Sequence, residues 1–225
     1  MLGDDQRFGL DRHIRLPGPF ALESGAVLDG IDIGYETYGT LNADRTNAVL
    51  VCHALTMTQH VAGPDPRTGK PGWWPRMVGP GLPIDPLRHF IVCANVLGGC
   101  SGTTGPTSLD PATGKAYAMT FPVITIRDMV RCQAALLDFL GVDQLLAVVG
   151  GSMGGMQALD WAVAYPARTR AVVAIATAAR HSAQNIAFHE VGRRRSWPTP
   201  SGRAACTPLV RSRALASLSR EWRHI

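Results

Sequence analysis

Residues 150–155 carry the most distinctive chemical pattern of the sequence, because they place a serine in a turn of glycines. Ser152 fits the spacing Gly-x-Ser-x-Gly, in which a serine at a sharp strand-to-helix turn exposes its Oγ. Gly150 and Gly154 would give this turn the space that larger side chains would fill. The pattern predicts that Ser152 is a nucleophile that forms a covalent intermediate. The alternative interpretation is a glycine-rich turn whose serine has no chemical role.

Two backbone N–H groups are predicted to stabilise the negative charge that develops on a substrate carbonyl oxygen. The N–H of Met153 follows the serine and begins a helix, where the partial positive charge favours an anion. The second donor is expected in the loop after an earlier strand, and the N–H of Leu55 is the candidate. Removing one such donor typically slows a reaction by about a hundredfold to a thousandfold. The nearby His53 is interpreted as a structural histidine that closes the strand, with a direct chemical role as the alternative.

Two tryptophans and a pair of histidines are candidate ligands for a substrate or a metal ion. Trp73 and Trp74 lie in residues 63–81, a segment rich in Gly and Pro that is predicted to be a long ordered loop. They would either line a channel for an acyl or pantetheine group or pack beneath the loop. His60 follows His53 in the same region, but a metal site at this histidine pair is not expected.

Short apolar runs alternate with helical patterns and predict a mostly parallel sheet with helices on both faces. Val27–Tyr38 alternates apolar and polar residues, which is typical of a half-exposed strand in an antiparallel hairpin or at an edge. Wholly apolar runs predict four strands buried on both faces, at Ala48–Cys52 and residues 90–96, 145–149 and 171–176.

Two helices are predicted between the later strands. Thr125 and Asp128 have the spacing of a capping box, so a helix should begin there, and Gly141 is its expected end. A second helix over residues 153–165 follows Ser152 directly. Residues 98–114 form a second glycine-rich loop, and loops of this length are commonly functional.

The composition excludes several classes of protein. The chain has 225 residues, of which 46% are hydrophobic and 17% charged, so it can bury a core and is not disordered throughout. No apolar run reaches the roughly 18–20 residues of a membrane helix, and no secretory signal is found. The five scattered cysteines are interpreted as reduced, mostly buried thiols of a cytoplasmic protein.

Positive charge is concentrated in residues 193–225, which contain eight arginines and one acidic residue. The preceding residues carry a net charge of −2. Because the basic segment has neither strand nor helix periodicity, we expect residues 1–192 to be the folded part and residues 193–225 a disordered tail. Binding of nucleic acid by this tail would weaken steeply with salt. We expect no nucleic-acid partner, because the tail has no aromatic residues beyond Trp197 and Trp222 and the rest of the chain is slightly acidic. We expect no membrane partner, because no apolar run is long enough to span one.

The chain resembles homoserine O-acetyltransferases in a series of sequence blocks that keep the order found in that family. The blocks are YETYGTLN (35–42), CHALT (52–56), GWW (72–74), MVGPG (77–81), NVLGGC (95–100), TGP (104–106), FPVITIRD (121–128), GGSMGGMQ (150–157), AQNIAF (183–188) and EVGR (190–193). The resemblance runs from about residue 15 to residue 193. Together these blocks are far more specific than the serine motif alone.

The resemblance implies an α/β-hydrolase fold and transfer of an acetyl group from acetyl-CoA to the side-chain hydroxyl of L-homoserine, in methionine biosynthesis. It also implies that Ser152 carries the acyl group and that the N–H groups of Met153 and Leu55 form the oxyanion hole. Acetyl-CoA would be a co-substrate, with no bound cofactor and no metal. The alternatives are a succinyl-CoA donor, serine as acceptor, or an esterase. Members of the family form homodimers through a helical lid, and no counterpart of this lid is found here.

An acid and a histidine are expected after the serine in this fold, and the sequence shows no convincing pair. The later acidic residues and histidines are Asp160, Glu190, Glu221, His181, His189 and His224. Asp160 falls on the helix after the serine, and His181 and His189 lie just past the fourth apolar strand. A serine without its base is a weak nucleophile.

The resemblance to the family and the strand and helix periodicity both end near Arg193, and the strongly basic segment begins there. We therefore expect a truncated or frameshifted member of the family, with a fold that is incomplete at the C-terminus and doubtful activity. Residues 171–176 would then be an uncovered apolar edge, and the chain would be poorly stable.

Overall fold

A computed structural model of the chain describes residues 12–65, 69–99 and 101–195. Cys100, Cys206 and the part of the basic segment beyond residue 195 lie outside the described residues. The elements in chain order are β1 (Arg12–Ala21), β2 (Val27–Tyr38), β3 (Ala48–Cys52), β4 (Phe90–Ala94), α1 (Ile126–Phe139), β5 (Ala147–Gly151), α2 (Met153–Ala164), β6 (Val172–Ile175) and α3 (Ala183–Arg195). Two short 3₁₀ helices occupy Ala118–Thr120 and Pro166–Arg168.

The six strands form one sheet in the order β1-β2-β4-β3-β5-β6. β1 and β2 form an antiparallel hairpin, and β2 also pairs antiparallel with β4. The remaining three pairs are parallel, which confirms the predicted mostly parallel sheet. The register pairs Cys52 at the end of β3 with Gly150 in β5. The loop after β3 and the turn after β5 therefore lie side by side at the carboxyl ends of these two strands.

The two faces of the sheet are covered differently. The face covered by α1 and α2, called the helix face below, packs alternate strand residues such as Leu50, Val92 and Val148 against the two helices. The opposite face, called the loop face, packs the intervening strand residues against the loop between β3 and β4. The expectation of helices on both faces is therefore wrong for these elements. The chain reverses direction after β4, and right-handed crossovers then place α1 and α2 on one face and the long loop on the other.

The predicted half-exposed character of β2 is wrong for its second half. Residues 33–38 are all buried, and Glu36 is fully buried although the pattern placed it on a polar side. β2 is not an edge strand, because it lies between β1 and β4. Its polar side faces the covering loop instead of water.

The fourth apolar run is also not a strand buried on both faces. β6 is at the edge of the sheet, and Val173 and Ile175 are 45% and 39% exposed. A run of Val, Ala and Ile indicates that a strand can be buried, but the burial itself requires a further strand or helix that packs against it. The exposed edge agrees with the uncovered apolar strand expected for residues 171–176.

The capping box of α1 is confirmed. The Thr125 hydroxyl accepts a hydrogen bond from the N–H of Asp128 at 2.9 Å, and the Asp128 carboxylate accepts one from the N–H of Thr125 at 3.1 Å. Gly141 follows the helix with a left-handed backbone, φ 70°, as expected for a glycine that ends a helix. The local signals of the sequence were sufficient here because both caps are formed within a few residues.

The described cysteines Cys52, Cys93 and Cys132 are free and buried, as expected. Burial raises the pKa of the Cys52 thiol to about 12, so it is protonated and unreactive. Among the described residues, no helix is long and apolar enough to cross a membrane.

Candidate active site

Ser152 occupies the turn between β5 and α2 with a left-handed backbone, φ 55° and ψ −123°. Such a conformation costs about 1–3 kcal/mol for a residue with a side chain and persists only where the surroundings impose it. The N–H of Ser152 donates to the carbonyl of Ile175 at 3.0 Å, and the Thr177 hydroxyl donates to the carbonyl of Ser152 at 2.7 Å. The end of β6 thus holds the strained turn, and the serine side chain is exposed.

The glycines beside the serine are required by close backbone contacts. A Cβ at Gly150 would lie 2.1 Å from the carbonyl oxygen of Gly154, and one at Gly154 would lie 2.0 Å from that of Cys52. At Gly151 the nearest atom would be 3.8 Å away, which is ordinary contact. The steric reason predicted for the glycines therefore applies to Gly150 and Gly154 but not to Gly151.

Met153 and Leu55 line the same cavity beside the serine. Its volume is about 130 Å³, and its walls are residues 53, 55–58, 95–99 and 101 together with Met129 and Met153. Within the described residues the N–H of Leu55 makes no hydrogen bond. The N–H of Met153 is in the first turn of α2, where the helix itself offers no acceptor. The structure therefore brings the two predicted donors to one cavity, and their catalytic role stays a prediction.

His53 is buried behind this cavity. Its Nε2 accepts a hydrogen bond from the N–H of Val96 at 3.1 Å, and its Nδ1 donates to the carbonyl of Ala54 at 2.8 Å. Burial lowers the pKa of His53 to about 4, so the ring is neutral near pH 7. Both ring nitrogens are occupied, which supports the structural interpretation over a direct chemical role.

A network of buried amide side chains lies beneath the site, and the sequence analysis did not identify it. The Gln133 Nε2 of α1 donates to the Gln157 Oε1 of α2 at 2.6 Å. The indole N–H of Trp161 donates to the Gln133 Oε1 at 2.8 Å. A signal was present, because Gln133 and Gln157 fall on the apolar faces of their helices. A buried polar side chain needs a partner.

Trp73 and Trp74 pack on the loop face. Their rings stack with centroids 5.4 Å apart, and both contact the apolar cluster of that face. The Trp73 Nε1 donates to the carbonyl of Thr58 at 2.9 Å. Neither ring lines the cavity at Ser152. The packing interpretation of these residues is therefore favoured over a channel for pantetheine.

His60 also belongs to the loop face, in a buried cluster with Glu36 and Tyr38. The Glu36 carboxylate accepts a hydrogen bond from the Tyr38 hydroxyl and is paired with the His60 Nδ1. In the part of the chain that the structure describes, no group of three or more His, Cys, Asp or Glu side chains could hold a metal ion. His60 has a polar partner on its own face and is not brought together with His53.

Within the described residues, none of the acids and histidines that follow the serine is hydrogen-bonded to the Ser152 hydroxyl. Asp160 is on α2 and pairs with Arg127 of α1 through bonds of 2.7–3.0 Å. His181 and His189 contact each other edge to face, with centroids 4.9 Å apart. Within the described ranges, the Ser152 hydroxyl has no hydrogen-bonding partner. Glu221 and His224 lie outside the described residues.

Comparison with known proteins identifies the fold family. A family model described as alpha/beta hydrolase fold matches residues 47–221, which is most of the chain. The chain belongs to the alpha/beta hydrolase family. In this family the serine of Gly-x-Ser-x-Gly stands on a strand-to-helix turn, with an oxyanion-hole donor on the loop after an earlier strand. Ser152 follows β5 and Leu55 lies in the loop after β3, and their roles in catalysis stay predictions.

The relatives of this alpha/beta hydrolase confirm the resemblance stated from the sequence. The homoserine O-acetyltransferase of Zymomonas mobilis is 63% identical over 202 residues, which are 90% of this chain and 54% of that protein. The crystal structure of homoserine O-acetyltransferase from Bacillus anthracis has a TM-score of 0.78 at 34% identity, covering 84% of this chain and 52% of that one. Esterase E22 has a TM-score of 0.81 at 34% identity, covering 93% and 61%. The chain spans about half the length of the curated relatives it matches.

Proposed function

We propose that this chain is part of a homoserine O-acetyltransferase, which moves an acetyl group from acetyl-CoA to the side-chain hydroxyl of L-homoserine. The substrates are proposed from relatives that are 60–64% identical and carry this name. The reaction type is supported by one observation on this chain. Ser152 is held in a strained, exposed turn next to Met153, and Met153 and Leu55 line one cavity.

The proposed reaction has two steps with a covalent intermediate. In the first, the Ser152 Oγ bonds to the acetyl carbonyl carbon, the carbon–sulfur bond breaks, and CoA leaves as a thiol with the serine proton. In the second, the homoserine hydroxyl attacks the acetyl-serine, and its proton returns to the Ser152 Oγ. In both steps the carbonyl oxygen becomes negative, and the N–H groups of Met153 and Leu55 would stabilise it.

Both steps need a group that accepts and returns the proton. The described residues offer Ser152 no such base, because His53 is buried and neutral and Asp160 is paired with Arg127. We propose that an acid and a histidine from outside these residues complete the site. We also propose that the basic segment 193–225, apart from its first residues at the end of α3, is not part of the folded domain. A cytoplasmic location, synthesis of methionine and a homodimer also remain proposals.

Release of CoA thiol from acetyl-CoA, with and without L-homoserine, tests the function. When the C-terminal half of a relative is added to the chain, we expect homoserine-dependent release that Ser152→Ala abolishes, and slower release with succinyl-CoA or with serine as acceptor. Hydrolysis of p-nitrophenyl acetate without any gain from homoserine would favour an esterase. If the 225-residue chain transfers acetyl groups at the rate of a complete enzyme, the proposal of a missing base is wrong. If only an added C-terminal half of a relative restores transfer, that proposal is supported.

A further inference from the structure

We propose that Gln157 is a positioning residue that sets the distance between the two N–H groups of the oxyanion hole. The inference rests on the proposed function of Ser152, Met153 and Leu55. It adds a residue that does not touch the reacting atoms and does not contact the serine hydroxyl. Gln157 lies in the second turn of α2 and is fully buried.

The Gln157 amide bonds to the backbone on both sides of the cavity. Its Nε2 donates to the carbonyl of His53 at 3.4 Å and to the carbonyl of Met153 at 3.3 Å. An amide nitrogen carries two hydrogens, so each carbonyl can receive its own. His53 follows β3 and lies two positions before Leu55, whereas Met153 begins α2. One side chain therefore ties together the two backbone segments that carry the two donors.

The amide has only one orientation that satisfies its surroundings. Its Oε1 accepts a hydrogen bond from the Gln133 Nε2 at 2.6 Å, and the Gln133 Oε1 accepts one from the Trp161 indole at 2.8 Å. If the Gln157 amide were rotated by half a turn, its oxygen would face the carbonyl oxygens of His53 and Met153. Its nitrogen would then face the Gln133 Nε2, which is also a donor. In a buried site each of these contacts would leave a polar group without a partner. The network therefore holds the Nε2 toward His53 and Met153.

The first turn of α2 and the end of β3 are also in direct backbone contact, so the distance between the two N–H groups depends on how Gln157 holds these segments. The Gly154 Cα packs against the carbonyls of Cys52 and His53, so the first turn of α2 rests directly on the end of β3. The His53 ring is in turn bonded to the N–H of Val96. A change in the Gln157 amide would shift the helix turn relative to the strand end. A misplacement of about 1 Å in a catalytic group can cost roughly a hundredfold in rate.

The test is the rate at which an alkyl fluorophosphonate labels Ser152 in the 225-residue chain supplied with the C-terminal half of a relative, followed by intact mass. The added half supplies the proposed acid and histidine and is the same in every variant. The Ser152 Oγ bonds to phosphorus, fluoride leaves, and the serine proton passes to solvent. The phosphoryl oxygen occupies the oxyanion hole, so labelling reports on the two N–H groups without needing CoA or homoserine. Ser152→Ala gives the background.

Two substitutions at Gln157 remove its donors in different ways. Gln157→Met keeps the length of the side chain but makes no hydrogen bonds. Gln157→Glu keeps an acceptor for Gln133, and its side chain, which has one O–H when protonated and none when ionised, can donate to at most one of the carbonyls of His53 and Met153. Trp161→Phe is the matched control, because it removes one hydrogen bond of the same network on the same helix. We expect both Gln157 variants to label about tenfold to a hundredfold more slowly, and Trp161→Phe to label within about twofold of the native chain.

The thermal melting of each variant separates positioning from general loss of structure. A slower rate in Gln157→Glu with a melting temperature no lower than that of Trp161→Phe supports the inference. Equal labelling rates in the native chain and both Gln157 variants overturn it, and so does an equal loss in Trp161→Phe. Absence of labelling in the native chain supplied with that C-terminal half overturns the nucleophilic role of Ser152, and with it the proposed function on which the inference rests.

Discussion

The helix face and the loop face of the sheet both bury polar side chains, but of different chemical kinds. On the helix face, beneath the candidate site, the groups are the amides of Gln133 and Gln157 and the neutral ring of His53. On the loop face they are Glu36 and its partners Tyr38 and His60. The pKa of Tyr38 is raised well above its usual value by burial and by the nearby Glu36 carboxylate.

The difference separates two tasks of buried polar groups. Neutral amides hold their hydrogen bonds whatever the pH, so they can fix backbone positions beside a reaction site that changes its own protonation. The Glu36 cluster ties β2 to the covering loop, where Tyr38 accepts hydrogen bonds from the N–H groups of Val61 and Ala62. Ionisable groups are tolerated there because they satisfy one another in the interior.

The largest expected effect is steric and concerns the helix face. Gly150→Ala should destabilise the fold by more than about 3 kcal/mol, since its Cβ would overlap the carbonyl of Gly154 and backbone cannot move aside cheaply. Gly151→Ala, one position along, should cost less than about 1 kcal/mol. Denaturant unfolding of both variants measures the difference. Similar losses in the two would show that close packing of α2 on the strand ends is not what the glycines provide.

Breaking the Glu36 cluster of the loop face should lower the free energy of unfolding more than breaking the amide network of Gln133 and Gln157 on the helix face. Glu36→Gln leaves its buried partners without a carboxylate and should cost about 3–5 kcal/mol. Gln133→Met removes neutral hydrogen bonds on the opposite face and should cost about 1–3 kcal/mol. The free energies of unfolding near pH 7 provide the comparison. If Gln133→Met proved the more destabilising, the distinction between the faces would be lost.

The neutrality of His53 predicts a dependence of stability on pH. Its pKa is about 4 in the folded chain and 6.5 in the reference state, so folding favours the neutral ring. This contribution is complete above pH 6.5 and is lost as the pH falls toward 4, at about 1.4 kcal/mol per pH unit. The His53→Gln variant should lose this part of the slope when unfolding is measured from pH 7.5 downwards, in steps spanning roughly three units. An unchanged slope would mean that His53 titrates normally.

The smallest effects concern two ion pairs, one between the helices of the helix face and one between β1 and β2 on the other side of the sheet. Asp160→Asn breaks a pair with Arg127 in which the carboxylate is 12% exposed, and it should cost about 1 kcal/mol. Asp32→Asn breaks a pair with Arg15 whose side chains are 47% and 59% exposed, and it should change stability by less than about 0.5 kcal/mol. Thermal melts at low and high salt would check both. A larger loss at Asp32 would reverse the expected order.

The sequence predicted well those features that are formed by neighbouring residues. The capping box at Thr125, the end of a helix at Gly141 and the bounds of β2 and β3 agree with the structure. The strand of residues 145–149 was placed slightly early, because β5 continues through Gly151 into the turn at Ser152. The apolar run ends at Val149, so it did not indicate that Gly150 and Gly151 belong to the strand.

Burial was predicted less well, because it depends on residues that are distant in the sequence. Glu36 and Val173 illustrate the two errors, one polar side chain that is buried and one apolar side chain that is exposed. Strand periodicity gives the side on which a residue lies. Whether that side is covered depends on which loop or strand packs there, and nothing within a few residues of either position specifies it.

The sequence by itself determined the nucleophile candidate, the family and the local elements, because a glycine-rich turn and a series of family blocks are written in consecutive residues. Only the tertiary structure decided which groups meet at the site. The parallel register of β3 and β5 brings Leu55 beside Met153, and the packing of α1 on α2 places Gln133 against Gln157. These contacts join residues about 25 to 100 positions apart, where the geometry of the sheet and of helix packing sets the distances.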